Sequence, residues 1–407
     1  MSLFESASLV VTPNGTKASK LYAVKPVDGS GDLTVTRATT ATRVNSAGLI
    51  ESVASNVPRL DYTNGTCPSI LVEPQRTNVQ TYSEDFSNAI YLQIGVTVTT
   101  NAIIAPDGNT TADKLVEDTS TGLHTIDILN PPVVAGSYTV SVFVKAAERT
   151  KFQILGFFAL TGNIDFDLTA GTATTTAPAL NGKIENYGNG WFRCSATFTD
   201  LTGVGAQILF NILNNAGSNN YTGTSGSGLY LWGAQLELGS DNTSYIPTTT
   251  ASVTRNADVI SKTGISSLIG QTEGTLFIDA NISLRSNTRV LLDVQDGTNN
   301  DTFQFVLGGN SLTVNIYDGG ILQAGLNGGY CLGRKKIALG YKANDFVLYI
   351  DGVQIATDTS GSIPAASLIA LGYLYIAGGF ELGDSINTFA NWKTRLSNSE
   401  LGTLTTL

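Results

Sequence analysis

Histidine and methionine are almost missing from this sequence: His124 and Met1 are the only ones in 407 residues. One histidine excludes a His-rich metal centre and any acid–base chemistry that needs two. A Ser/His/Asp triad would also need a serine on a strand-to-helix elbow, and no G-x-S-x-G stretch fits one. His124 lies in the alternating stretch GLHTIDI and is read as a structural residue. The three cysteines, Cys67, Cys194 and Cys331, are odd in number and far apart. They give no disulfide framework and no zinc spacing, and fit assembly in a reducing cytoplasm. Cys194, in WFRCSATF, reads as a small buried hydrophobe. Charge is scarce, 14% of residues, against about 25% in an average domain. The net charge is −10 and the 23 Lys and Arg are scattered, so the basic footprint of a nucleic-acid binder is missing. No apolar run approaches the roughly 18 residues of a membrane span. Residues 1–12 lack the basic and apolar regions of a signal peptide, so no membrane insertion is expected.

What is present is Thr, Ser, Asn and 43 Gly around 42% hydrophobic residues. That mixture favours strands and tight turns. The chain divides around residues 226–258, GSGLYLWGAQLELGSDNTSYIPTTTASVTRNAD. Tyr230, Trp232, Ala234, Leu236 and Leu238 alternate, which predicts one face of a strand closing a β-domain. Pro247 and the threonines after it predict an extended exit. Before it, residues 1–60 carry short strands and Gly- or Asn-rich turns but too few large apolar side chains for a core. This leader must lean on another domain, a sister subunit or a larger assembly. VTRATT (35–40) recurs loosely as VTRNAD (253–258). Pro68 and Pro74 confine residues 69–72 to an edge strand or linker.

From Tyr91 to Glu237 strands follow one another with turn signals every 8–12 residues, the pattern of a sandwich. The one helical hint, DGNTTADKLVED (107–118), is a single turn or an edge strand. A second run of strands spans about 274–394, including LYIAGGFE (374–381). Asp351-Gly352 predicts a hairpin between VLYI and VQIA. Ser397 and Glu400 predict a capping box on a short terminal helix. The fold class expected is mostly β: two antiparallel sandwiches after an extended N-terminal docking segment, with boundaries at 1–60, 61–255 and 256–407.

Several stretches resemble known families. AGSYTVSVFVKA, NGWFRCSATFTD and GLYLWGAQLELG resemble jelly-roll carbohydrate-binding modules of the family-four type. VTRATTATRVNSAGLIESV, EPQRTN, YSEDF and YLWGAQLELGSDNTSYIPTT, in that order, resemble a protein type of tailed-bacteriophage virion appendages, tail fibres and head fibres. FVLYIDGVQIATDTSG and FANWKTRLSNSELGTL are similar to concanavalin A-like or laminin-G-like domains. The resemblance implies a non-catalytic virion protein, assembled in the host cytoplasm and exposed on the particle. It would dock through its N-terminal segment to other virion proteins, form a homotrimer and bind cell-surface glycans. A capsid decoration with a mainly architectural role and a polysaccharide depolymerase are the alternatives.

Many of the resembled modules carry a calcium-binding Asp on the last strand, where this chain has Trp232-Gly233. No cofactor is therefore expected. DGTNND (296–301) lacks the EF-hand order and reads as a turn, with weak Ca²⁺ binding as its alternative. Gly-rich GTSGSG (223–228) precedes a strand, so it is no phosphate cradle. For hydrolysis, Glu117 and Asp118 point to opposite faces of a strand, whereas Asp165 and Asp167 share one. Trp191 and Trp232 sit on apolar strand faces and read as core, leaving Trp392 a candidate by type alone. Tyr187, Tyr221, Tyr317 and Tyr373 lie near loops and are the candidate glycan-stacking residues.

Overall fold

The computed structural model describes residues 3–129, 136–158, 162–176, 181–201, 206–285, 287–376 and 380–407. They form two compact units, each built from separate stretches of chain. The first comprises residues 1–40, 53–75 and 256–407, the second 41–52 and 76–255. Both are antiparallel β, as composition and alternation predict.

The first unit is one long sheet folded over its own core. Phe303, from one half of the strand order, packs against Tyr341, from the other, with ring centroids 4.6 Å apart. The N-terminal strands Leu9–Lys17, Lys20–Lys25 and Leu33–Thr36 lie between these halves. Leu9–Lys17 pairs with Asp384–Trp392, and Leu33–Thr36 pairs with Val259–Thr263. Residues 1–40 are thus built into the first unit rather than standing apart as an extended segment. Five of their apolar side chains, Leu9, Val11, Leu21, Leu33 and Val35, are each at most 1% exposed, in one core with residues of the C-terminal part. The partner the leader needs is supplied by its own chain.

Two arginines and two acids lock this arrangement from inside. Arg37 donates to Asp258 at 2.9 Å and Arg59 to Glu73 at 2.7 Å; Arg59 also reaches Asp258. All four are under 5% exposed. Burial disfavours the Arg59 cation, but Asp258 and Glu73 outweigh it and hold the guanidinium firmly charged. Arg37 and Arg255 are both buried arginines, although they serve different units.

Strand Ser69–Val72 has partners on both sides, Leu60–Asp61 and Asp384–Trp392, so it is neither an edge nor a linker. Asp351 (φ 49°) and Gly352 (φ 83°) form the expected hairpin turn. Helix Asn398–Thr405 starts on the expected capping box, and it packs Leu401 and Leu404 in a cluster with Trp392. LYIAGGFE does not form a strand among its described residues, and 377–379 lie outside them; the strand in this region is Leu368–Leu371.

The second unit is a sandwich of two six-stranded sheets. Gly228–Leu238 is last in sequence but interior, between Thr110–Glu117 and Gly136–Ala146. The helical hint is therefore an interior strand, because tertiary pairing overrides a weak local signal. The single-face alternation also fails. The register with Gly136–Ala146 slips between Ser141 and Phe143, and Gly233 there takes φ 65°. This β-bulge keeps Leu229 and Leu231 in the same core as Ala234 and Leu236. It sends Trp232 instead into a second aromatic cluster with Phe143 and Tyr245.

Candidate functional site

One sheet of the second unit runs, in spatial order, Thr172–Thr176, Gly162–Asp167, Lys151–Phe158, Ala206–Leu213, Thr125–Leu129, Tyr91–Ile94. Phe152, Ile154, Phe166, Phe210 and Ile126 point into the core. Strand alternation then directs Asp165, Gln153, Asn211 and Thr125 to the other face. The register aligns them: Thr174 opposite Asp165, Asp165 opposite Gln153, Gln153 opposite Asn211, Asn211 opposite Thr125. At about 4.8 Å per strand this polar row is about 19 Å long. Its members bond sideways. Gln153 Nε2 donates to Asp165 Oδ1 at 2.7 Å, and Asn211 Nδ2 to Gln153 Oε1 at 2.7 Å. Asn163 and Asn219 donate to Asp165 and Gln153 respectively, at 2.9 and 3.2 Å.

The row deepens along its length. Thr174 is exposed and Asp165 half-buried, while Gln153 is 5% exposed and Asn211 and Thr125 are fully covered. Beside its deep end lies Asp127, opposite Leu209 and Leu92 and 3% exposed. Oδ1 of Asp127 and Oδ1 of Asn211 have no hydrogen-bond partner. Buried acceptors are rarely left so, because each costs about 1–3 kcal/mol. Burial pushes the Asp127 carboxyl up to about 6. The neighbouring Leu92, Ile94 and Leu129 are 39–44% exposed, an apolar margin beside the polar row.

The acids of this face do not make a hydrolytic pair. Asp127 and Asp165 are three strands apart, about 14 Å, whereas glycosidase carboxyls stand about 5–9.5 Å apart. Asp165 and Asp167 share a face as expected. Asp167, however, accepts backbone N–H bonds from Ala170 and Thr169, which pull its carboxyl below the usual range and make it a poor proton donor. Burial alone would raise Glu117. Bonds from Arg149, the Tyr221 hydroxyl (2.6 Å) and the Thr224 N–H (2.7 Å) outweigh it and keep the carboxylate ionised. Asp118 lies beyond the strand end, with its carboxyl on the Ser120 hydroxyl and N–H. His124 is fully buried between Gly95 O (2.7 Å) and Tyr221 O (3.3 Å), as a structural residue would be.

The four candidate tyrosines are not brought together. Tyr373 is 4% exposed, so its expected exposure is wrong: it stands in a bend just after strand Leu368–Leu371, and its ring packs beside Leu368 and Ala370. Tyr221 is half-buried; its hydroxyl is committed to Glu117, and its ring lies 4.6 Å from His124 and 5.3 Å from the Arg149 guanidinium. Tyr187 is half-buried edge-on against Phe143 at 4.9 Å. Tyr317 is half-buried on an outward strand position in the first unit. Trp191, Trp232 and Trp392 are all at most 2% exposed. Asp296 and Asp301 accept turn N–H bonds from Thr298 and Gly319, each at 2.7 Å. No group of three or more His, Cys, Asp or Glu that could hold a metal occurs among the described residues.

No protein-family model and no curated protein sequence matches the chain. Parts of it are similar to solved structures. The carbohydrate-binding module CBM40 of a Ruminococcus gnavus IT-sialidase, bound to α2,3-sialyllactose, aligns over 35% of this chain and 86% of its own, with 19% identity and a TM-score of 0.31. A heptameric SAP-like pentraxin from Limulus polyphemus aligns over 32% and 68%, with 16% identity and a TM-score of 0.26. The K499G mutant of NanB sialidase from Streptococcus pneumoniae aligns over 35% and 26%, with 16% identity and a TM-score of 0.30.

Proposed function

We propose that this protein is a non-catalytic glycan-binding component of a phage virion appendage, and that the polar row of the second unit is a contact surface for the glycan. The carrying observation is the row itself: amide, carboxylate and hydroxyl groups in register across five strands, ending beside two buried acceptors without partners. A saccharide chain would offer hydroxyls to Thr174 and Asp165 at the open end of the row, where Gln153 holds the carboxylate in place from behind. No proton transfer is needed, and the spacing of the acids speaks against one. The ordered motifs of residues 35–250 support virion placement, on a tail fibre or head fibre. Several copies per appendage would add weak sites into firm adhesion.

The test is a glycan array probed with the full chain, followed by titration of any hit against Gln153→Ala and Asp165→Ala. Binding that falls about tenfold or more in both variants, with folding intact, supports the reading. Unchanged binding removes this face from it.

A further inference from the structure

The first unit holds a second, separate site. The strand Leu9–Lys17 pairs Val11 with Ala23 and then Thr16 with Leu21, so residues 12–15 oppose Tyr22 alone and bulge outward. In Asp384–Trp392 the register passes from Thr388 opposite Asp279 to Ile386 opposite Ala280, which leaves Asn387 as an extra residue. Bulges re-aim side chains, and these two lie on neighbouring strands, beside Asn281 and Arg334, themselves register partners. The turn carrying Asn64 and Thr66 completes the wall of an open cavity of about 590 Å³. That volume suits a ligand of one or two sugar rings.

The lining carries one charge, the Arg334 guanidinium, and otherwise amides, hydroxyls and a thiol. Arg334 is held from behind. Asp279, 3% exposed, accepts from its Nε at 3.0 Å and Nη2 at 2.7 Å, and from Asn387 Nδ2 at 2.8 Å. This uses one side of the guanidinium fork. The end-on pair, Nη1–H and the second Nη2–H, is unused, and the side chain is 56% exposed. A fixed fork with a free edge is a receptor for a planar carboxylate. Around it, Asn281 Nδ2 is tied to Ser385 at 3.0 Å, while the Asn14 amide is free for hydroxyl groups.

We propose that this cavity binds a polyhydroxylated ligand bearing a carboxylate, of the size of an acidic mono- or disaccharide, with Arg334 as the anion receptor and Asp279 as its positioning residue. The site is independent of the polar row in the second unit.

Cys67 gives a direct readout. It lies in the cavity wall and is exposed, whereas Cys194 and Cys331 are buried. The experiment measures the rate at which a chromogenic disulfide reagent modifies Cys67 in the full chain, with increasing glucuronate, glucose or acetate. Saturable protection is expected from glucuronate, about tenfold stronger than from glucose or acetate. Arg334→Gln should abolish that preference and Asn14→Ala should weaken protection by both sugars. Gln153→Ala, in the other unit, should leave it unchanged. Equal protection by glucose and glucuronate, protection by none of the three, or full glucuronate protection in a folded Arg334→Gln variant would each overturn the proposal. Loss of array binding in Gln153→Ala with this protection retained would separate the two sites.

Discussion

Asp127 offers a test of what a buried, unpaired carboxyl does to stability. Its carboxyl rests near pH 6 in the fold and near 3.8 in an unfolded chain. A carboxyl raised by folding favours the native state fully below about pH 4, and that contribution is lost as pH rises through about 6. The gap corresponds to about 3 kcal/mol, and we take about 2 kcal/mol after allowing for local relaxation around a group beside polar Thr125 and Asn211. Asp127→Asn removes the ionisation and keeps the shape. The variant should match the parent at pH 4 and exceed it at pH 8 by about 2 kcal/mol, or about 4–8 °C in the second unit's transition. Scanning calorimetry of both proteins at the two pH values reads this directly. A melting difference that is the same at pH 4 and pH 8 would refute the assignment of a buried, unpaired carboxylate.

Other expectations follow from single contacts. Asp258→Ala takes the buried Arg37 guanidinium's carboxylate away and leaves Arg59 with Glu73, and should cost the first unit about 3–5 kcal/mol by denaturant titration. Ser397→Ala removes the cap of the terminal helix and should cost about 1 kcal/mol in the same assay, with little change elsewhere. Gly228→Ala would place a Cβ 1.9 Å from Leu115 O, so soluble yield of the second unit should drop sharply, seen by size-exclusion chromatography. Immunogold labelling of intact particles should find the protein on a tail fibre or head fibre, and its absence from particles would remove the virion reading.

Local signals were legible where one residue pair decides the geometry. Asp351-Gly352 needs two positive φ values and has them, and Ser397 with Glu400 closes the capping box. Alternation located most strands. What failed was whatever depends on distant pairing. Residues 107–118 read as an edge or a helical turn because nothing local reveals that Gly228–Leu238 will flank them. The bulge at Gly233 reverses the face of Trp232, and one inserted residue is invisible to a period-two reading. The polar row was half visible. Asp165 stood out as an acid, but Gln153, Asn211 and Thr125 were ordinary polar residues at outward positions in KFQILGFF, AQILFNIL and TIDIL. Only the register joins them. Tyr373 was misplaced because turn residues mark a change of direction, which need not be exposed.

The placement of the first strand also fixes an order of events during synthesis. Leu9 finds its partner in Asn391, far along the chain. At translation rates of about 5–20 residues per second, roughly 20–75 s separate the two. The whole second unit emerges within that interval, and among the described residues its strands pair only with one another. It can finish folding on the ribosome, while Leu9, Val11, Leu21, Leu33 and Val35 wait uncovered. In a slowly translating cell these N-terminal strands, with open edges and no core of their own, are where aggregation and chaperone capture would begin.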